Sequence, residues 1–88
     1  MEQSEGWKLE VRQAFGARVR EIRLSKDVTQ EGLALLCGLD RSYLGQVERG
    51  ERNITLENIH RLALGLEVRP HELLLPLGSP AFCGGGSA

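Results

Sequence analysis

The chain has 88 residues, of which 41% are hydrophobic and 26% charged, and its formal net charge is −1. This length predicts one small domain, and the near-neutral charge argues against a protein that coats nucleic acid through phosphate attraction alone. The sequence contains neither a run of about 20 apolar residues nor a basic segment followed by an apolar one at the N-terminus, so we expect a cytoplasmic protein.

The first predicted helix extends from Lys8 to Lys26. Its apolar residues recur every three or four positions, which is the spacing of one helical face. They are Val11, Phe15, Val19 and Ile22. Gly16 and most charged residues lie off that face, and residues 1–7 are predicted to form a flexible N-terminus.

Two short helices follow, separated by a tight turn. Thr29 is a predicted N-cap for the second helix, which is expected from about Gln30 to Leu36 or Cys37. Gly38 suits the left-handed conformation of the residue that ends this helix. Asp40 then caps the third helix, which is predicted to cover Arg41–Arg49. This order of helix, glycine turn and helix is typical of a helix-turn-helix unit.

The remaining helices lie before a tail rich in Gly, Ser and Pro. Thr55 caps a fourth predicted helix, Leu56–Leu64, which Gly65 ends. A fifth short helix, His71–Leu75, lies between two prolines. We therefore expect an all-α fold of five helices over residues 8–77, with a disordered tail over 78–88. Both cysteines, Cys37 and Cys83, are expected to be free thiols.

The third helix has one apolar side and one polar side. At about 100° per residue, Leu44 and Val47 face the core, while Ser42 and Gln46 lie on the opposite side. Arg41 stands at the helix start, from which recognition helices contact base edges. Arginine pairs with guanine, glutamine with adenine, and serine with several bases. For this helix alone, a solvated surface is the simpler interpretation.

The run from Phe15 to Leu75 resembles the Cro/cI-type (XRE) helix-turn-helix family, which includes the phage lambda and 434 repressors. The matching elements are Arg20 and Arg23, Thr29–Ala34, Gly38–Leu44, Val47–Asn53, Thr55–Leu56, Leu62–Ala63 and Leu73–Leu74. The resemblance implies a compact five-helix, lambda-repressor-like domain that binds double-stranded operator DNA, commonly as a homodimer on a palindromic site.

The resemblance also implies roles for individual residues. The base-reading positions are Gln30, Arg41, Ser42 and Gln46, and the phosphate-binding positions are Tyr43, Arg52 and Asn53. Arg23 and Glu48 occupy the places of a structural ion pair between the first and third helices. We favour that role for Glu48 over base reading, because an unpaired carboxylate would be repelled by DNA.

A dimer interface is predicted after the fourth helix, where apolar residues exceed the needs of one short helix. Its predicted members are Leu66, Val68, Leu73, Leu74 and Leu77, and Leu75 lies among them. Simple core packing is the alternative for Leu73 and Leu74. Dimerisation is expected because one recognition helix reads only a few base pairs.

Three functions compete at this point. The segments Leu39–Tyr43 and Glu48–Asn53 are similar to those of restriction-modification controller proteins, but also of other XRE regulators. An antitoxin that binds a partner toxin as well as its own operator is the alternative.

Enzymatic function is not expected, since His60 and His71 lack neighbours spaced for a metal site or catalysis. We expect no cofactor, no metal and no membrane contact. We expect no ligand-binding domain after residue 77 and hence no small-molecule ligand.

Overall fold

The computed structural model describes residues 6–78, which form five α-helices and no strand, as predicted. The helices are α1 Gly6–Ser25, α2 Gln30–Cys37, α3 Arg41–Glu48, α4 Leu56–Leu66 and α5 Pro70–Leu74, and a 3-10 turn over Leu75–Gly78 follows. Among these described residues, no helix combines the length and apolar character needed to cross a bilayer.

Several helix boundaries differ from the prediction. Helix α1 begins at Gly6, so the last two residues of the predicted flexible N-terminus are helical. Helix α4 continues through Gly65 to Leu66, because Glu67 provides the left-handed cap with φ 59°. Gly78, the first residue of the predicted tail, ends the 3-10 turn. Residues 1–5 and 79–88, including Cys83, lie outside the described residues.

The turn between α2 and α3 is defined by the caps that the sequence predicts. The hydroxyl of Thr29 accepts a hydrogen bond from the amide of Gly32 at 2.9 Å, at the start of α2. Gly38 ends that helix in the left-handed region with φ 70°, where glycine carries no Cβ penalty. The carboxylate of Asp40 then accepts from the amide of Ser42 at 3.1 Å. These caps satisfy backbone groups at both sides of the turn and fix where α3 begins.

All five helices contribute to one core. Its buried apolar members are Phe15, Val19, Ile22, Leu33, Ala34, Cys37, Leu44, Val47, Leu62, Ala63, Leu66 and Leu73. Leu66 and Leu73 are 1% and 0% exposed, so their predicted place in a dimer interface is wrong. They pack inside their own chain, since α4 extends farther than expected and α5 folds back on α1 and α4.

Helices α1 and α3 approach each other closely at Gly16. A Cβ at this position would lie 2.6 Å from the carbonyl oxygen of Glu48 and closer still to that of Val47. Gly16 is buried, although the apolar spacing places it off the core face of α1. The missing side chain is therefore what allows α3 to lie directly against α1.

Cys37 is a buried free thiol at the end of α2. Burial raises its pKa, and this effect exceeds the opposing effect of a backbone hydrogen bond at Gly65. A Cβ on Gly65 would approach the Cys37 sulfur to 2.5 Å. The neutral thiol thus acts as a small apolar group between α2 and α4.

Candidate nucleic-acid interface

Helix α3 is anchored by its apolar side and exposes its polar side. Leu44 and Val47 are 0% and 1% exposed. Arg41 and Ser42 at the helix start are exposed, while Gln46 is half-buried. The observed faces thus agree with those that the helical spacing predicts, and the polar groups are available to a partner.

The four predicted base-reading residues lie around one polar depression. Its volume is about 290 Å³ and its lining residues are Gln30, Arg41, Ser42, Gly45, Gln46 and Arg49. Two of these, Gly45 and Arg49, were not among the predicted site residues. A Cβ at Gly45 would lie 3.3 Å from a terminal nitrogen of Arg49 and 3.6 Å from the Gln30 oxygen. Glycine therefore keeps the depression open between α2 and α3.

A buried salt bridge joins α1 to α3 beneath this depression. Arg23 donates to Glu48 twice, from Nε to Oε2 at 2.7 Å and from Nη2 to Oε1 at 3.0 Å. The two side chains are only 8% and 2% exposed. Arg23 Nη1 also donates to the carbonyl oxygen of Val28 at 2.9 Å. This bidentate geometry offsets part of the free-energy cost of removing both charges from water.

The same carboxylate orients Gln30. The Gln30 Nε2 group donates to Glu48 Oε1 at 2.9 Å, which fixes the amide plane at the start of α2. One N–H of Gln30 is used in this contact, and its second N–H and its oxygen remain for a partner. The family resemblance implies the pairing of Arg23 with Glu48 but does not predict that Gln30 joins them.

A second cluster of polar side chains links α3 to the loop that follows it. Arg52 Nε donates to Gln46 Oε1 at 2.8 Å, and the Arg52 guanidinium lies 5.2 Å from the centroid of the Tyr43 ring. The Tyr43 hydroxyl accepts from Asn58 Nδ2 at 3.1 Å. Asn58 was missed because its distance of 15 residues from Tyr43 follows no helical or turn spacing. This group joins a predicted base-reading side chain to two predicted phosphate contacts.

Arg49 pairs with Glu51 at the exposed end of α3. Arg49 Nε donates to Glu51 Oε2 at 3.0 Å. The hydrogen bond is the main cause that raises the pKa of Arg49 and lowers the pKa of Glu51. Because both side chains are largely exposed, this pair adds little stability. It offsets part of the positive charge beside the depression.

Asn53 lies on the loop after α3 and borders a separate concavity near the start of α1. This concavity has a volume of about 220 Å³ and is lined by Trp7, Lys8, Val11, Arg12 and Asn53. Asn53 is exposed and belongs to the same loop as Arg52.

Within residues 6–78, no three His, Cys, Asp or Glu side chains are grouped as metal ligands.

Comparison with known proteins identifies the family. The helix-turn-helix family model HTH_3 matches residues 19–73. The control protein C.BamHI of Bacillus amyloliquefaciens is 48% identical over 65 residues, which cover 73% of this chain and 80% of that protein. The structure of the restriction-modification controller protein C.AhdI of Aeromonas hydrophila has a TM-score of 0.69 and 56% identity, covering 69% of this chain and 92% of the other.

A third relative has been solved together with DNA. It is the restriction-modification controller protein C.Esp1396I, seen as a tetramer in complex with its natural 35 base-pair operator. Its TM-score is 0.69 and its identity 35%, and the match covers 75% of this chain and 91% of that chain. The family match spans more than half of the chain, and the relatives are matched over most of their length. The chain therefore belongs to the HTH_3 (XRE) helix-turn-helix family of DNA-binding transcription regulators.

Proposed function

We propose that this protein binds operator DNA as a homodimer and regulates transcription in the manner of restriction-modification controllers. The observation that carries the proposal is the convergence of Gln30, Arg41, Ser42 and Gln46 on one depression at the exposed face of α3. A recognition helix enters the major groove, which is about 12 Å wide. The operator complex of the relative C.Esp1396I supports the same partner for this chain.

Charge supports specific over unspecific binding. Between Lys8 and Asn53 nine basic and seven acidic residues give this segment a charge of +2, while the rest of the chain carries −3. Phosphate attraction of this size is weak, so base contacts and dimerisation must supply much of the affinity. Arg52 and Asn53 are the proposed phosphate contacts of the loop, together with Tyr43 of α3.

Selection of bound fragments from random DNA tests this function. We expect the wild-type protein to enrich one operator with two related half-sites, about 34 Å apart. Arg41→Ala should lose roughly 1–3 kcal/mol against that operator, because a bidentate pair with guanine is removed. Arg20→Ala removes an exposed arginine of α1 and is the charge-matched control that should keep the sequence preference. If Arg41→Ala selects the same operator with wild-type affinity, the reading face is not the one proposed.

The proposed dimer interface is reduced to residues that the fold leaves accessible. Leu75 is 59% and Leu74 is 37% exposed, and Val68 and Leu77 are half-buried. Val68 follows α4, Leu74 ends α5, and Leu75 and Leu77 belong to the 3-10 turn. Leu66 and Leu73 are buried in the core and are not part of the proposed interface.

Sedimentation at micromolar concentration tests the dimer. We expect wild type to sediment as a dimer and Leu75→Glu to sediment as a monomer with an unchanged helical circular dichroism spectrum, because burying a charge in an apolar interface is unfavourable. Leu35→Glu is the matched control, since Leu35 is 84% exposed on α2 and should leave the dimer intact. A wild-type protein that remains monomeric at all concentrations contradicts the proposal.

The controller role is tested at the DNA upstream of the protein's own gene. Footprinting should protect a site there, because the resemblance to restriction-modification controllers implies that the protein regulates its own operon. Protection confined to unrelated promoters would instead favour a general regulator of the same family.

A further inference from the structure

We infer that Arg52 positions the Gln46 amide so that Gln46 selects guanine, where an unconstrained glutamine selects adenine. The inference rests on the proposed operator binding and assigns a base preference to one residue of that site. It follows from the contact between Arg52 Nε and Gln46 Oε1, which measures 2.8 Å.

The chemistry of arginine determines which end of the amide faces the loop. The guanidinium has five N–H donors and no acceptor. The amide atom that contacts Arg52 is therefore the oxygen, and the Nε2 group points away from the loop. Gln46 thus offers its two N–H donors to a partner, while its oxygen lies beside a positive charge.

Arg52 is itself held in place from the opposite side. Its guanidinium lies over the Tyr43 ring at 5.2 Å from the centroid, a distance typical of cation–π contacts. Asn58 on α4 donates to the Tyr43 hydroxyl at 3.1 Å, which restrains the ring. The orientation of Gln46 is consequently supported from α4, although Arg52 is exposed.

Base edges in the major groove distinguish between the two orientations. Adenine offers an N6 donor beside its N7 acceptor, and glutamine reads it with oxygen and nitrogen together. In this structure an N6 donor would have to approach an oxygen that already accepts from a guanidinium, and would meet further N–H donors there. Guanine presents two adjacent acceptors, N7 and O6. The donor-rich edge formed by Gln46 and Arg52 is complementary to guanine.

Two variants separate this positioning role from a simple phosphate contact. Loss of a phosphate contact weakens binding to all sequences about equally and lowers the salt dependence. Loss of a positioning contact also changes the base that is preferred at one position. Gln46→Ala identifies that position, since its preference disappears when the reading side chain is removed. Arg52→Ala then frees the Gln46 oxygen for adenine.

The experiment is fragment selection from random DNA with wild type, Gln46→Ala, Arg52→Ala and the control Arg20→Ala, each confirmed as folded by its melting curve. We expect guanine at the Gln46-dependent position for wild type and Arg20→Ala. For Arg52→Ala we expect the ratio of guanine to adenine to fall by at least about fivefold, the lower limit for one bidentate contact.

Two results would overturn the inference while leaving operator binding intact. One is adenine at the Gln46-dependent position of the wild-type operator. The other is an Arg52→Ala variant that binds every sequence more weakly but keeps the guanine preference. A wild-type protein that enriches no sequence at all would instead contradict the proposed function, and the inference with it.

Discussion

Replacing Glu48 with alanine is expected to lower the free energy of unfolding by about 3–5 kcal/mol, because the substitution leaves the buried Arg23 charge without its partner. Arg23 makes two hydrogen bonds to this carboxylate, at 2.7 and 3.0 Å. A small domain has a total stability of roughly 5–15 kcal/mol, so the loss removes a large part of it. Urea unfolding at neutral pH measures the change.

The double variant Arg23→Met, Glu48→Leu is the control for this result. Apolar residues of similar volume in place of a buried ion pair are often neutral or stabilising, so this variant should recover most of the lost stability. DNA binding should not recover, because the Gln30 amide loses its contact to Glu48 Oε1 at 2.9 Å. If Glu48→Ala lowers the free energy of unfolding by less than about 1 kcal/mol, the Arg23–Glu48 pair contributes no more than an exposed surface pair, which contradicts this prediction.

Replacing Gly16 with alanine is expected to destabilise the protein by about 3 kcal/mol, near the upper end for overpacked cores. The added Cβ would lie 2.6 Å from the backbone oxygen of Glu48. Backbone atoms cannot move aside as a flexible side chain can, so α3 must shift away from α1. Such a shift moves the reading face relative to α2, and operator affinity should fall together with stability.

Gly6→Ala is the matched control for the Gly16 variant. Both glycines belong to α1, but nothing lies within 4 Å of a Cβ built at Gly6. Alanine favours helix over glycine by up to about 1 kcal/mol, so Gly6→Ala should be neutral or slightly stabilising. Thermal and urea unfolding of the two variants compare the same chemical change with and without a steric contact. Equal stability of both would show that α1 and α3 have room to separate.

The dimer prediction shows where local pattern fails. Leucines near the end of a sequence can pack into the core of their own chain or against a partner chain. The spacing of the leucines along the sequence is the same in both cases. Leu73 is 0% exposed and its neighbour Leu75 is 59% exposed, a contrast that depends on how α5 packs against α1 and α4. The sequence has an excess of leucine in this segment, but the packing of α5 decides which of these leucines are exposed to a partner chain.

Gln46 and Arg52 give a second example. Helical spacing predicts that Gln46 faces outward, and the usual chemistry of glutamine then predicts adenine. The contact with Arg52 at 2.8 Å crosses from α3 into the following loop, and Tyr43 and Asn58 support it from two helices. No periodicity describes such a group, so the base preference follows only from the folded arrangement.

The sequence by itself determined the five helices, their caps at Thr29, Asp40 and Thr55, and the polar face of α3. These features depend on interactions within a few residues, namely periodic burial and side-chain caps. Only the tertiary structure decided that Gly16 is a contact point, that Leu66 and Leu73 are core, and that Arg52 contacts Gln46. These depend on the distance between elements far apart in the chain, which local propensity does not encode.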